Sequence, residues 1–389
     1  MTSVPLSPVD YLFTGPESQP ITFAFYFPQR LDVDRLRISL NEALALFPIL
    51  RSRLWAVSDY EYEFSIADDG LVFESGESAA DFPETAGIER FVTPVESAPE
   101  QPLTRISLLR VPPGGTVLGV SVSHALVDGF SYFHFLSSWA RSTRGERVLA
   151  PYLDRSLLFP APAAKLSKTK VTAEMIFSDC GLFLDAPRRS HLKTAGPAPI
   201  ARTFIADEEI NDELQRMRRE QNAAFTRNDA IVAKLWKEWG ADGHHQTFVT
   251  CPFDFRGTLT GLPRNFFGCA LSFASATIAA DALQKASPAE LALLVRNAVG
   301  RMKNESILKS LGTLDSFRCQ QGTTAMAQIH LRHPRSGLIV TNLTRMPIKD
   351  IDFGSGPPLR FLTHVDMAGG AAILPAAGGV EVLVAPPPS

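Results

Sequence analysis

The sequence predicts an α+β fold in two units, each a mixed sheet with helices, and three observations carry that reading. At 389 residues the chain exceeds what one small core fills. Runs with strand period and runs with helix period are interleaved in both halves without strict βαβ alternation. From about Pro160 to Pro199 the patterning weakens into proline, lysine and small residues, as in a crossover between domains. The predicted division is 1–165 for the first domain, 166–200 for the crossover and 201–389 for the second domain.

In the first half, Ile21–Phe27 alternates as a strand does, and Asp32–Leu46 has helical spacing with an aspartate at its start. Tyr60–Ile66 and Leu71–Glu74 read as one hairpin. Leu103–Val111 and Thr116–Ser123 read as another, joined by Pro112-Pro-Gly-Gly115. An amphipathic helix opens at Asp128-Gly129 and reaches Trp139 and Arg144. The second half offers a strand at Ala201–Ile205, then helices from Asp207 to about Gln221 and from Arg227 to about Trp239. Strands at Thr247–Pro252 and Phe267–Ala279, a helix at Pro288–Met302, and strands at Leu338–Asn342 and Val380–Val384 complete the pattern.

Composition excludes several classes of function. Hydrophobic residues at 45%, charged residues at 20% and 26 phenylalanines supply apolar material for cores and a pocket. The net charge is −3 and the basic residues are scattered, so no nucleic-acid footprint is present. No apolar run approaches the roughly 20 residues a bilayer requires. The start, Met1-Thr-Ser-Val-Pro-Leu6, lacks the charged-then-apolar order of a signal peptide, and the expected compartment is the cytoplasm, with no membrane partner. Cys180, Cys251, Cys269 and Cys319 are far apart, without the spacing of a disulfide framework or a zinc site. Neither His330 with His333 nor His244 with His245 has a third ligand at telling spacing, so no metal is assigned. Phosphate-loop, dinucleotide and nucleophile-elbow motifs are absent.

The most informative segment runs from Ser121 to Phe130. The β-branched run Gly115–Ser123 reads as a buried strand and Asp128-Gly129 opens the following helix, so His124 falls where strand gives way to loop. Imidazole titrates near neutrality and can take a proton from a hydroxyl, amine or thiol and return it to a leaving group. Asp128 is placed either to orient the ring or to lock the loop. Gly129 removes a side chain where backbone approaches a ligand or turns sharply.

Separated segments then point one way. They are Leu6-Ser-Pro-Val-Asp10, Phe47–Arg53, His124-Ala-Leu-Val-Asp-Gly129, Ser138–Arg141, Pro151–Arg155, Phe225–Ala230, Phe253-Asp-Phe-Arg256, Asn265-Phe-Phe-Gly268, Thr341–Pro347 and Asp352-Phe-Gly-Ser-Gly356. In order and spacing they resemble, over nearly the whole chain, the plant- and fungus-type BAHD acyltransferases. That family lies within the coenzyme A dependent acyltransferases that include chloramphenicol acetyltransferase and peptide-synthetase condensation domains.

The resemblance implies two similar domains around a solvent channel, as in chloramphenicol acetyltransferase, with His124 at its centre as general base. It implies acyl-CoA as co-substrate with no tightly bound cofactor, a small and fairly apolar metabolite as acceptor for O- or N-acylation, and a monomer. Asp128 would pair with Arg256 to fix the His124 loop. Asp352, Gly354 and Gly356 would set a turn away from the reacting atoms, and Thr341 would lie near the channel, within reach of the oxyanion. The chain departs from the family pattern at Leu343 and Ser355, where tryptophan is common, and at Cys269, where asparagine is. Small residues at the first two positions would reshape the channel, while Cys269 reads as an inert apolar thiol. Two other readings keep the fold: an acyl donor presented on a carrier protein, and a thioester-free cyclase or lyase in which His124 only moves protons. A third is a binding protein with relic motifs.

Overall fold

Two mixed sheets carry the computed structural model, which describes residues 2–15, 18–84, 87–159, 169–185, 200–240, 245–363, 365 and 367–386. The first sheet has five strands in the order Arg360–Thr363, Ile21–Phe27, Gly115–Val122, Thr104–Val111 and Leu71–Glu77. The second has six, in the order Leu271–Ala279, Gln246–Asp254, Leu338–Asn342, Gly370–Ala376, Gly379–Val384 and Ala201–Ala206. Each sheet is mainly antiparallel, with one parallel pair at the edge of the first and two inside the second, which fits chain halves that alternate hairpins with helices.

The hairpin Thr104–Val111/Gly115–Val122 forms in the register the sequence suggests, with Leu108 opposite Leu118 and Val111 opposite Gly115. Its second strand is buried along its whole length, as expected of a β-branched run at the centre of a sheet. The helix Gly129–Thr143 then turns Tyr132, Phe133, Phe135, Leu136 and Trp139 into the core. There it packs against the helix Val33–Leu46, which Asp32 caps by accepting from the Asp34 and Arg35 amides. Trp139 Nε1 donates to the Leu36 carbonyl at 3.1 Å, so the indole is buried without an orphaned N–H. Behind the second sheet, Ile210, Leu214, Ile231, Trp236, Leu291 and Val295 of three helices close on Val249, Val340, Ile373 and Val382.

The structure corrects the sequence reading in four places. Glu61–Ile66 does not pair with Leu71–Glu77; it lies between Thr2–Pro5 and Ser52–Ser58, while Leu71–Glu77 joins Thr104–Val111 in parallel. The turn explains this: Ala67 N donates to Arg51 O, and a Cβ on Gly70 would stand 2.0 Å from that same oxygen, so the chain crosses the end of its neighbour and leaves for the other sheet. Within the expected crossover, residues 169–185 form core structure. The helix Ala173–Cys180 buries Ile176 and Cys180 and packs on the helix Asn304–Gln321, with Leu182 buried behind it. The rest of that crossover, 160–168 and 186–199, lies outside the described residues.

The division at 201 is also crossed. Arg360–Thr363 pairs with Ile21–Phe27, and Ile307, Leu311, Leu314 and Phe317 share one core with Phe25, Leu118 and Trp139. Finally, the strand expected from Phe267 begins at Leu271, because Phe266 O and Gly268 O accept from an arginine instead of a neighbouring strand.

Candidate active site

The strand Gly115–Val122 ends two residues before His124, and the main chain there is pinned at once. Ser123 N donates to Leu103 O at 2.8 Å, Leu126 N to Ser123 O at 3.0 Å, and Ser123 Oγ pairs with Ser97 Oγ at 2.7 Å. The imidazole is half-buried. It lies flat against Phe13, with ring centroids 4.0 Å apart and planes 9° from parallel. Nδ1 is enclosed and makes no hydrogen bond, leaving Nε2 as the open nitrogen of the ring. Burial pushes the pKa of His124 below the usual 6.5; main-chain acceptors at His124 and Val127, together with the Asp128 carboxylate, pull the other way without reversing it. The ring is therefore neutral at pH 7, the state a base requires.

Asp128 turns its carboxylate elsewhere. Oδ1 accepts from Ser131 N at 2.9 Å and caps the helix Gly129–Thr143. Oδ2 accepts from Arg256 Nη1 at 2.6 Å and from Ala270 N at 2.9 Å. Arg256 follows the strand Gln246–Asp254 and spends its remaining donors locally: Nε on Phe266 O at 2.9 Å, Nη2 on Gly268 O at 2.8 Å and on Ser131 Oγ at 3.0 Å, and Nη1 also on Asp254 at 3.1 Å. The rings of Phe130 and Phe266 face its guanidinium. The pair is almost wholly buried, with side-chain exposures of 3% and 1%, so it locks the loop between His124 and its helix. Gly268 sits inside this lock with φ +155°, and a Cβ there would approach Arg155 Nη2 and Phe266 Cζ to 2.8 Å. Gly268→Ala is expected to lower unfolding free energy by about 1–3 kcal/mol, through overpacking, in urea titrations.

The second signature stands at the far end of the same helix. Asp352 Oδ1 accepts from Gly354 N at 2.8 Å and Gly356 N at 2.9 Å, and both glycines have left-handed φ, +104° and +97°. Arg144, just past the helix C-terminus, donates to Asp352 O and holds Glu146 through two hydrogen bonds. Phe353 is buried edge-on against Trp139, with centroids 5.0 Å apart. A 15-residue helix is about 22 Å long, so this turn anchors the helix remote from His124.

Thr341 is partly buried on the strand Leu338–Asn342, opposite Ala372. Leu343, like Phe361 and Val365, packs against the buried cluster of Ala372, Leu374 and Leu383. Gly129 has no positive φ, and a Cβ on it would meet Met346 and Leu343 at ordinary contact distances, so its place is set by the neighbouring loop and not by backbone strain. Ser355 is partly buried, with its hydroxyl enclosed and unbonded.

The model of the transferase family matches residues 2–389. The chain belongs to the transferase family. Within it this chain is one of the BAHD-type acyltransferases. Hydroxycinnamoyltransferase 2 of Oryza sativa subsp. japonica is 27% identical over 402 residues, covering 96% of this chain and 86% of that protein. The hydroxycinnamoyl-CoA:5-hydroxyanthranilate N-hydroxycinnamoyltransferase of Avena sativa is 26% identical over 357 residues, covering 84% and 76%. Among solved structures, F. graminearum TRI101 complexed with ethyl coenzyme A superposes with a TM-score of 0.75 at 13% identity, covering 99% of this chain and 95% of that one. Vinorine synthase superposes with 0.69 at 19% identity, covering 99% and 90%. These likenesses show the fold.

Cys269 of this transferase is fully buried beside the Arg256 network, and burial pushes its thiol well above the usual range; it does not reach the open side of the site. Cys180 and Cys251 are likewise pushed up to about 12 by burial. Among the described residues no group of three His, Cys, Asp or Glu is arranged to hold a metal ion, and no helix is long and apolar enough to cross a membrane. Sequence reasoning missed Phe13, Ser131 and the buried pair of Asp10 with Arg155 as parts of the candidate site. Asp10 and Arg155 both lie in segments that carry the family resemblance, but nothing in their spacing links residues 145 apart.

Proposed function

We propose that this transferase moves an acyl group from coenzyme A to a hydroxyl or amine of a small, fairly apolar metabolite, with His124 as general base. The observation that carries the reading is the imidazole held on a doubly pinned loop, with Nε2 open and Nδ1 enclosed. Nε2 accepts the acceptor's proton as its oxygen or nitrogen bonds to the thioester carbonyl. The tetrahedral intermediate then breaks its carbon–sulfur bond, and the imidazolium returns the proton to the departing thiolate. A channel between the two sheets would bring donor and acceptor together from opposite faces, replacing a rare encounter by a fixed one. Thr341 is the proposed donor to the oxyanion. Asp128 and Arg256 act by holding the loop.

The rice and oat relatives are named for hydroxycinnamoyl transfer, which supports a hydroxycinnamoyl thioester as the donor class here. No observation favours a carrier-bound donor or a thioester-free cyclisation. We propose that the active form is a monomer, since every group of the proposed machinery comes from one chain, and that it works in the cytoplasm. The test is product mass after incubation of hydroxycinnamoyl-CoA and shorter acyl-CoAs with pooled alcohols and amines. An acylated acceptor supports the reading, and a folded protein that consumes none of these thioesters overturns it.

A pH dependence follows. Only neutral His124 can act as base, and burial lowers its pKa, so kcat/KM is expected to rise with pH through an apparent pKa below 6.5 and then level off. An acid limb above 6.5 in the pH–rate profile contradicts the assignment.

A further inference from the structure

We propose that Phe13 is the positioning residue for the His124 imidazole, and that the buried Asp10–Arg155 pair holds it in that place. The proposal rests on His124 serving as the base. An imidazole is ordinarily oriented by a hydrogen bond to the nitrogen that does no chemistry. Here the main-chain acceptors beside the ring, at His124 and Val127, close no hydrogen bond on Nδ1, and Asp128 is committed to Ser131, Arg256 and Ala270. What fixes the ring plane is the buried phenyl ring of Phe13, 4.0 Å away and 9° from parallel. Rotation of the imidazole about its Cβ–Cγ bond would drive its edge into that ring.

Phe13 is itself held from both sides by groups that lead back to the His124 loop. It ends the short helix Asp10–Phe13, whose first residue is fully buried. Asp10 Oδ2 accepts from Ser7 N at 2.7 Å and from Arg155 Nη1 at 2.5 Å. Arg155 lies over Phe64 and extends Nη2 toward Leu126 O at 3.5 Å, two residues after His124. On the other side, Gly15 N donates to Ser97 O at 2.8 Å, and Ser97 Oγ pairs with Ser123 Oγ, the residue before His124. The stacking ring and the loop it serves are thus one clamp, closed through Arg155 at one end and Ser97 at the other. A buried ion pair contributes little net stability compared with apolar residues of the same volume, so its worth here lies in fixing position.

Phe13→Leu keeps an apolar side chain and removes the flat face; Phe13→Tyr keeps the face. In Phe13→Leu, kcat is expected to fall about 10–100-fold, the scale of a misplaced catalytic group, with both KM values within about twofold of native. Its acid limb should move up toward 6.5 as the ring loses cover, and Phe13→Tyr should stay within about threefold of native, both variants being compared at matched folded concentration. A folded Phe13→Leu with native kcat and acid limb overturns the proposal, as does an equal loss in a folded Phe13→Tyr. An independent reading needs neither a variant that folds nor any activity. In the native protein, the ring C–H protons of His124 should resonate upfield of an unstacked imidazole, through the ring current of Phe13. Their absence from that position also overturns the proposal. Native activity in His124→Ala would instead remove the general base itself, a failure distinct from that of the clamp.

Discussion

Arg256→Met is expected to destabilise the protein by about 3–5 kcal/mol in urea or thermal unfolding, because it strands the Asp128 carboxylate in a site only 1% exposed. The methionine fills space but supplies none of the donors that now satisfy Asp128, Phe266 O, Gly268 O and Ser131 Oγ. Phe266 O is left without its donor and adds its own desolvation cost, whereas Gly268 O keeps Ser131 Oγ and Ser131 Oγ keeps Gly268 N. Asp128→Ala should lose as much, since it deletes a helix cap and the Ala270 N acceptor along with the ion pair. The double variant Asp128→Ala/Arg256→Met should lose clearly less than the two single losses added, because no naked charge remains. If Arg256→Met stays within about 1 kcal/mol of native, the pair is not the lock described here.

His124→Ala has the opposite profile: large in activity and small in stability. A positioned general base contributes roughly 10²–10⁴ in rate, and kcat/KM is expected to fall by that factor. The fold should tolerate the change. The ring is half-buried, so truncation removes the stack on Phe13 and the approach to the main-chain acceptors at His124 and Val127, but breaks no buried ion pair. Steady-state kinetics with matched melting curves separate the two effects. A fall in activity that tracks unfolding would mean that His124 is structural.

Legibility in the sequence followed the range of the forces involved. The run Gly115–Val122, the loop at His124 and the helix capped by Asp128 were readable because their pattern reports burial within a few residues. The Asp128–Arg256 pair, 128 residues apart, was reached only through resemblance, since no local pattern links two charges in loops that follow strands of different sheets. The parallel partner of Leu71–Glu77 was missed because a turn at Ala67–Gly70 that looks like a hairpin is redirected by Arg51 O, which ends the helical turn Pro48–Arg51 just before another strand. The helix Ala173–Cys180 was hidden by its eight-residue length inside a proline- and lysine-rich stretch. Arg360–Thr363 changes sheets, a fact about topology that four residues cannot announce. Phe13 was lost among 26 phenylalanines, because an aromatic ring at a site looks in sequence like one in a core.

The most direct test follows acceptor-dependent release of free coenzyme A thiol in native protein, His124→Ala and Cys269→Ala, each verified as folded. Direct transfer by a histidine base requires that native protein and Cys269→Ala release thiol at similar rates, within about threefold, while His124→Ala falls by about 10²–10⁴. Thiol release at the native rate from folded His124→Ala, or its loss in folded Cys269→Ala, would contradict that mechanism.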